Sequence, residues 1–292
     1  HCEEIDEEVT GVMAQPSRKL QLSNGYLLEF GQLSRVLHFL AEHAAEKRIY
    51  RKAIRESTGL ADRQIGSVVS IGCALGLIKP VSQTLTPVGA LIAANDIFLE
   101  KTGTLQWCHY KGAGNPRNLV WHEIFNRILP SERIATEAEW LSDLRADVSE
   151  RYTDRTVGKH LHEEVRFVVD AYLNRNFKKL ELLHRNADGI LFRKRQLDVV
   201  PAVFCAMIYD YAAGRGENLL QVREIVEAKG APPFLFGFDE TAFRQAVEFL
   251  HESGWLRYES THNLDQVRLR DGLSALSFLK RYYESPAPEN KK

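Results

Sequence analysis

Across residues 60–91 the positions Ile65, Val68, Val69, Gly72, Cys73, Leu75 and Leu77 recur at three- and four-residue steps. That is the period of a helix with one buried face. Asp62 stands where an N-cap belongs, and Gly76 stands where a helix ends. Leu77-Ile78 and Leu85-Thr86 then read as two short strands around a polar turn. Upstream, Leu33, Val36, Leu37 and Leu40 predict a helix over about 31–47, and residues 51–56 a shorter one that breaks at Ser57-Thr58-Gly59. Helix, short helix, turn, longer helix and small hairpin is the outline of a winged helix, a module that binds nucleic acid or a protein partner. A further helix is predicted over 87–95.

A second outline of this kind begins near Val199. Val203, Met207, Ile208 and Tyr211 mark one helix, and Leu219, Val222, Ile225 and Val226 another. Phe243, Val247, Phe249 and Leu250 mark a third, capped by Asp239 and stopped by Gly254. Trp255-Leu256-Tyr258 and Val267-Leu269 alternate apolar and polar positions around a turn, as a hairpin does. Between the two outlines, residues 131–180 read as helices with N-caps at Ser131, Thr136 and Thr153, and Glu139 completes a capping box with Thr136. Ile190-Leu191-Phe192 reads as a short strand or apolar anchor. The expected fold is mainly α, with two winged-helix domains joined by a helical middle region. The boundaries are an acidic tail over 1–22, a winged helix over 23–95, the middle region over 96–198, a second winged helix over 199–283 and a tail over 284–292.

Composition narrows the class. At 292 residues, 44% hydrophobic and 26% charged, the chain is a globular protein of two or three domains. No apolar run approaches the length of a membrane span, and no signal peptide pattern opens the sequence. Four cysteines, Cys2, Cys73, Cys108 and Cys205, show no CxxC spacing. Cys73 and Cys205 fall inside apolar helical patterns, so a reduced, cytoplasmic protein with small buried thiols is expected. The net charge of −1 excludes a general polycation, and any DNA binding must come from local patches.

The sequence offers three such patches. On the third predicted helix, Arg63, Gln64, Ser67 and Ser70 would be exposed, and Arg63 and Gln64 are types that reach base edges or phosphates. The segment KGAGNPRN reads as a flexible loop whose Lys111, Asn115, Arg117 and Asn118 suit phosphate oxygens, with Gly112 and Gly114 admitting close backbone approach. The run 175–195 is basic and includes Arg193, Lys194 and Arg195. A solvated surface explains each of them equally simply. Trp107, His109, Tyr110, Trp121, His122 and Phe125 crowd around the loop, as a core or as a base-stacking platform. His160 and Glu164 lie four apart on one helix and could share a divalent metal, Mg or Mn, for phosphodiester chemistry. His109, His122, Glu123, His160 and Glu164 are the candidate catalytic groups.

The run 60–80, followed by LTPVGALIAANDIFLEKTGTLQWCHY and LVWHEIFN, resembles the SspB-like family of bacterial DNA phosphorothioation defence systems. The resemblance rests on LTP-x-G, Asp96, Leu99-Glu100, Thr104-Leu105, Trp107 with His109, Trp121 and Phe125-Asn126. NGYLLEF at 24–30 departs from an opening motif that many members carry. The resemblance implies a protein that acts on double-stranded DNA, nicking one strand so that sulfur can replace a phosphate oxygen. It also implies partners that supply sulfur and ATP-dependent activation. A non-catalytic DNA-binding adaptor and a transcriptional regulator are the alternatives that two winged helices allow.

Overall fold

A computed structural model describes residues 20–131, 135–149, 152–261 and 263–284. Cys2, most of the acidic tail and the tail after 284 lie outside the described residues. The tail expected over 1–22 ends sooner than that, because Leu20 and Leu22 are already buried. The described residues begin with helices α1 (Phe30–Glu42), α2 (Arg51–Thr58), α3 (Asp62–Ala74) and α4 (Pro87–Asn95). Between α3 and α4 the expected hairpin is reduced to one antiparallel bridge, Ile78 to Leu85. Gly76 ends α3 in the left-handed region, as its position predicted.

The LTP-x-G sequence has a physical explanation here. The Thr86 hydroxyl donates to the Gly76 carbonyl at 2.7 Å and accepts from Gly89 N–H at 2.9 Å, while Pro87 occupies the first turn. A Cβ on Gly89 would stand 2.0 Å from the Leu77 carbonyl oxygen. The motif therefore clamps α4 against the bridge segment.

Next come α5 (Thr102–Gly114) and α6 (Leu119–Glu123), the latter extended by a π turn (Ile124–Ile128) and a 3-10 turn (Leu129–Ser131). Strand β1 (Ala135–Thr136), helices α7 (Glu137–Val148) and α8 (Asp154–Leu173), a 3-10 turn (Asn176–Leu180) and strands β2 (Leu183–Arg185) and β3 (Ile190–Arg193) complete the middle. The 131–180 segment is thus not wholly helical: β1 pairs antiparallel with β3, Ala135 opposite Leu191, in a sheet of order β1-β3-β2. Thr136 and Thr153 cap α7 and α8 as expected, and Glu139 closes its capping box. The Ser131 hydroxyl ends the preceding turn by donating to the Ile128 carbonyl.

The C-terminal part comprises α9 (Pro201–Arg215), β4 (Leu219–Gln221), α10 (Val222–Glu227), α11 (Pro232–Phe236), α12 (Glu240–Glu252), β5 (Leu256–Thr261), β6 (Leu264–Leu269) and α13 (Ala275–Glu284). Asp239 caps α12 through Ala242 N–H, and β5 and β6 pair over their full length with β4 on the other side of β6. The described residues are mainly helical with two small antiparallel sheets.

Helix α5 is the centre of this arrangement. Every residue from Gly103 to Tyr110 is buried, and α6, α9, α11 and the turn over 176–180 pack around it. Trp107 and Trp121 are core residues, as are Cys108 and Cys205; Cys73 is half-buried. The short α11 has no helical period long enough to read, and α13 follows the hairpin inside the 199–283 unit, in a stretch for which no helix was predicted. Among the described residues no helix is long and apolar enough to cross a membrane.

Replacing Gly89 by Ala forces the Leu77 backbone apart, and we expect a loss of about 3 kcal/mol or more in urea denaturation. Gly158→Ala, where a Cβ meets nothing within 4 Å, should instead gain up to about 1 kcal/mol from helix propensity.

Candidate functional site

An open cleft of about 600 Å³ lies where the first half of α3 faces α8. Arg51 from the start of α2 and Arg63 from α3 line one side, and Lys159, His160 and Glu163 from α8 line the other. The turn Gln21–Asn24 closes one end.

A buried polar network holds that turn. Glu164, 2% exposed, turns into the core. Its Oε1 accepts from Leu22 N–H at 3.0 Å and from Ser23 N–H and Oγ–H at 2.8 Å each. The Ser67 hydroxyl donates to the Ser23 carbonyl at 2.7 Å, and Ser23 Oγ also accepts from Gly25 N–H. Asn24 and Gly25 both take positive φ, so the chain reverses tightly and leaves the Asn24 amide in the cleft. Burial raises the Glu164 carboxyl to about 7, against the downward pull of Ser23 and Leu22.

The predicted α3 face is rearranged accordingly. Arg63 does line the cleft. Ser67, expected to be exposed, is 1% exposed because it serves the Ser23 network. Gln64 Oε1 accepts from Ala61 N–H at 3.0 Å and so caps the helix. Asp62 is not the N-cap: Ala61 is the last extended residue, and Asp62 begins the helix with its carboxylate 3.2 Å from Arg55. A carboxylate in the first turn still favours the helix dipole.

The segment KGAGNPRN is not a single flexible loop. Helix α5 runs through Gly114, and only residues 115–118 leave the helix. The glycines admit protein, not phosphate: a Cβ on Gly112 would meet the Trp121 ring at 2.7 Å, and one on Gly114 the Gly230 carbonyl at 3.1 Å. Lys111 pairs with Asp210 at 2.8 Å and lies over the Trp107 and Tyr110 rings. Asn115 turns back to accept from Arg117 N–H, Asn118 is buried on the Gly112 carbonyl, and the Arg117 side chain is exposed. Lys111 and Asn115 border a separate cavity of about 420 Å³.

Much of the basic run is neutralised or structural. Arg175 bridges Asp170 and Glu29, and Arg185 meets Glu137. Arg193 donates to the Phe234 carbonyl, and Arg195 donates to the Gly237 carbonyl and to Asp239. Lys194 is exposed.

The five titratable candidates do not assemble at one place. His109 is fully buried, edge-on to Phe125 and Phe236. Trp121 N–H donates to the Tyr172 hydroxyl, so that hydroxyl donates its own proton to His109 Nδ1. Burial lowers His109 to about 3, which keeps it neutral. His122 stands 3.6 Å from Glu123, whose carboxyl is held down to about 2, chiefly by His122 and also by Arg127. His160 and Glu164 have different partners: Glu164 is committed to the Ser23 turn, and His160 Nδ1 meets Glu163 at 3.1 Å. His160 is the one of the five that lines the cleft.

Among the described residues no three His, Cys, Asp or Glu side chains converge to hold a metal ion. Those residues offer the expected divalent metal no set of three protein ligands, and no step below passes through it. Arg51, Lys159 and Glu163 were not legible as site residues. Lys159 and Glu163 meet Arg51 and Arg63 only through a contact between segments about a hundred residues apart.

The model of a family described as a protein of unknown function, DUF4007, matches residues 73–283, and the chain belongs to that family. Its fold is also that of SspB. The magnesium ion-bound SspB crystal structure and the SspB crystal structure each superpose with a TM-score of 0.72 at 14% identity. Each match covers 90% of this chain and 87% of the other. The SspB-like resemblance is thus borne out in the fold. No curated protein matches the sequence.

The Glu164 shift carries a sign. Below about pH 4.5 the carboxyl is protonated in both folded and unfolded chains. As pH rises towards 7 the unfolded chain releases the proton first, so this group's share of stability is lost over that interval, by roughly 3 kcal/mol. Gln at 164 keeps the accepting oxygen and cannot ionise. Thermal denaturation should therefore show a smaller fall between pH 5 and 7.5 for Glu164→Gln than for the parent; parallel curves would disprove the assignment.

Proposed function

We propose that this chain is a DNA-binding component of a DNA phosphorothioation system, and that it nicks one strand of its substrate. The observation that carries the reading is the cleft between α3 and α8. It gathers Arg51, Arg63 and Lys159 in a chain whose net charge is only −1. Phosphate affinity needs a local positive site of this kind, and a near-neutral molecule offers no general attraction to DNA. The fold shared with SspB supports the same reading. The N- and C-terminal helical units, each followed by a bridge or hairpin, serve in this proposal as two winged helices. The partners are double-stranded DNA together with proteins that supply sulfur and ATP-dependent activation.

For strand cleavage, His160 is the group placed to move a proton. It lies in the cleft, and Glu163 at 3.1 Å orients its ring. His109 and Glu164 serve the core instead, the first through Tyr172 and the second through Ser23. That engagement favours a second reading, a non-catalytic adaptor that holds DNA for its partners.

Freshly purified protein should convert supercoiled plasmid to the nicked circle in the presence of Mg or Mn. His160→Ala should slow that conversion by about a hundredfold or more while leaving DNA retention in a gel shift unchanged. DNA retention without any nicking would favour the adaptor; loss of neither activity would remove His160 from the chemistry.

A further inference from the structure

In a winged helix that reads duplex DNA, the first half of the third helix enters the major groove, and that groove is about 12 Å wide. Here the same half of α3 is walled by α8 and by the Gln21–Asn24 turn. The open cleft of about 600 Å³ that results is the size of a small-ligand site. We propose that this cleft binds a phosphate group carried by a single DNA strand, with Arg51, Arg63 and Lys159 as its cationic contacts. This rests on the DNA reading above and changes what α3 does in it.

The charges in the cleft support a phosphate ligand. Asp62 is engaged by Arg55, at 3.2 Å, and Glu163 by His160, at 3.1 Å. Arg51, Arg63 and Lys159 form no ion pair with another described residue, in contrast to Arg55, Arg127, Arg175, Arg185, Arg195 and Arg244. Three cations left facing one concave space attract an anion. The Asn24 amide adds a neutral donor to the same wall.

Gly66 is the second, independent observation. It sits inside α3, where glycine costs up to about 1 kcal/mol relative to Ala. Its φ is ordinary, and a Cβ there would make only loose contacts, 3.6 Å from Arg51 Nη1 and 4.0 Å from Asn24 Nδ2. Gly72 and Gly89, by contrast, are required by packing, since a Cβ at either would collide with Ile78 or with Leu77. At Gly66 the space left open is the cleft floor, between an arginine and an amide. Gly66 thus leaves that side of the cleft open to a ligand.

Three groups of variants test this by fluorescence anisotropy, using a labelled single-stranded oligonucleotide and a blunt duplex of the same sequence. They are the paired substitution Arg51→Gln with Lys159→Gln, the substitutions Gly66→Ala and Gly66→Leu, and Arg145→Gln as an exposed control away from the cleft. Gly66→Ala keeps the test valid if the leucine variant fails to fold, because alanine should raise the melting temperature. The parent should bind single strand more tightly than duplex. The paired variant should lose at least about tenfold in affinity, and its log–log salt slope should shrink by about 0.7 for each lost phosphate contact. Both Gly66 variants should weaken binding, leucine more than alanine, and Arg145→Gln should not. Inorganic phosphate and ATP, added in a thermal-shift assay, distinguish a free phosphate ligand from a strand. Single-strand affinity unchanged in the folded cleft variants, or tighter binding of duplex by the parent, would overturn the cleft assignment and leave the DNA reading standing. No DNA binding by the parent, with phosphate or ATP protection that the cleft variants abolish, would keep the phosphate site and overturn the DNA reading. Absence of every one of these interactions would overturn both.

Discussion

Helix α5 is enclosed on every side, and the rest of the molecule is shaped by what that enclosure demands. A helix with neighbours all round must be narrow where they cross it. Gly103 meets Tyr282 and Val203, Gly112 meets the Trp121 ring, and Gly114 meets Gly230. Its polar groups must also find partners away from water. Gly103 N–H donates to the Tyr282 hydroxyl, Thr104 bonds Tyr283, and Gln106 bonds the backbone of Asp198 and Val200. Asn126 fastens the neighbouring π turn to both sides, donating to Ala113 and accepting from Gly230 N–H. These bonds join the middle of the chain to its C-terminal third through buried side chains.

The cleft depends on a second long-range fixture. Glu164 and Ser23 stand 141 positions apart in sequence, yet one carboxylate oxygen gathers three donors from the 22–23 turn. Burying a carboxyl costs stability unless donors surround it, and here the balance still leaves it raised. The result is a short rigid wall that holds Asn24 beside Arg51 and α8. Ser67 belongs to the same fixture, so half of the α3 surface that might have faced solvent is committed to structure.

The KGAGNPRN segment shows how far local sequence can be read. Its glycines and polar residues suggested a loop for phosphate, because glycine permits close approach. What approaches is protein: an indole ring on one side and a carbonyl on another. Nothing within the segment distinguishes these cases. Helix α11 hides for a related reason, since one turn bearing two prolines has no measurable period. Helix α13 carries a clear apolar face, but its value lies in two tyrosine hydroxyls that reach α5.

Local rules did determine much. The period of α3, its stop at Gly76, the caps at Thr136, Thr153 and Asp239, and the hairpin of β5 and β6 follow from neighbouring residues, because turns and caps are made by atoms a few positions apart. The LTP-x-G feature marked the family for the same reason, as a compact packing device written in nearby residues, whereas Trp121 and Asn126 rest on Tyr172 and Gly230 far along the chain. Only the tertiary structure decided which charged residues share a space. Arg51, Arg63 and Lys159 come together across about a hundred residues, while Gln64, Ser67, Lys111, Arg193 and Arg195 are drawn into caps, networks and pairs. A side chain's role depends on the partner that reaches it first, and for all of these but Gln64, which caps its own helix, that partner lies far away along the chain.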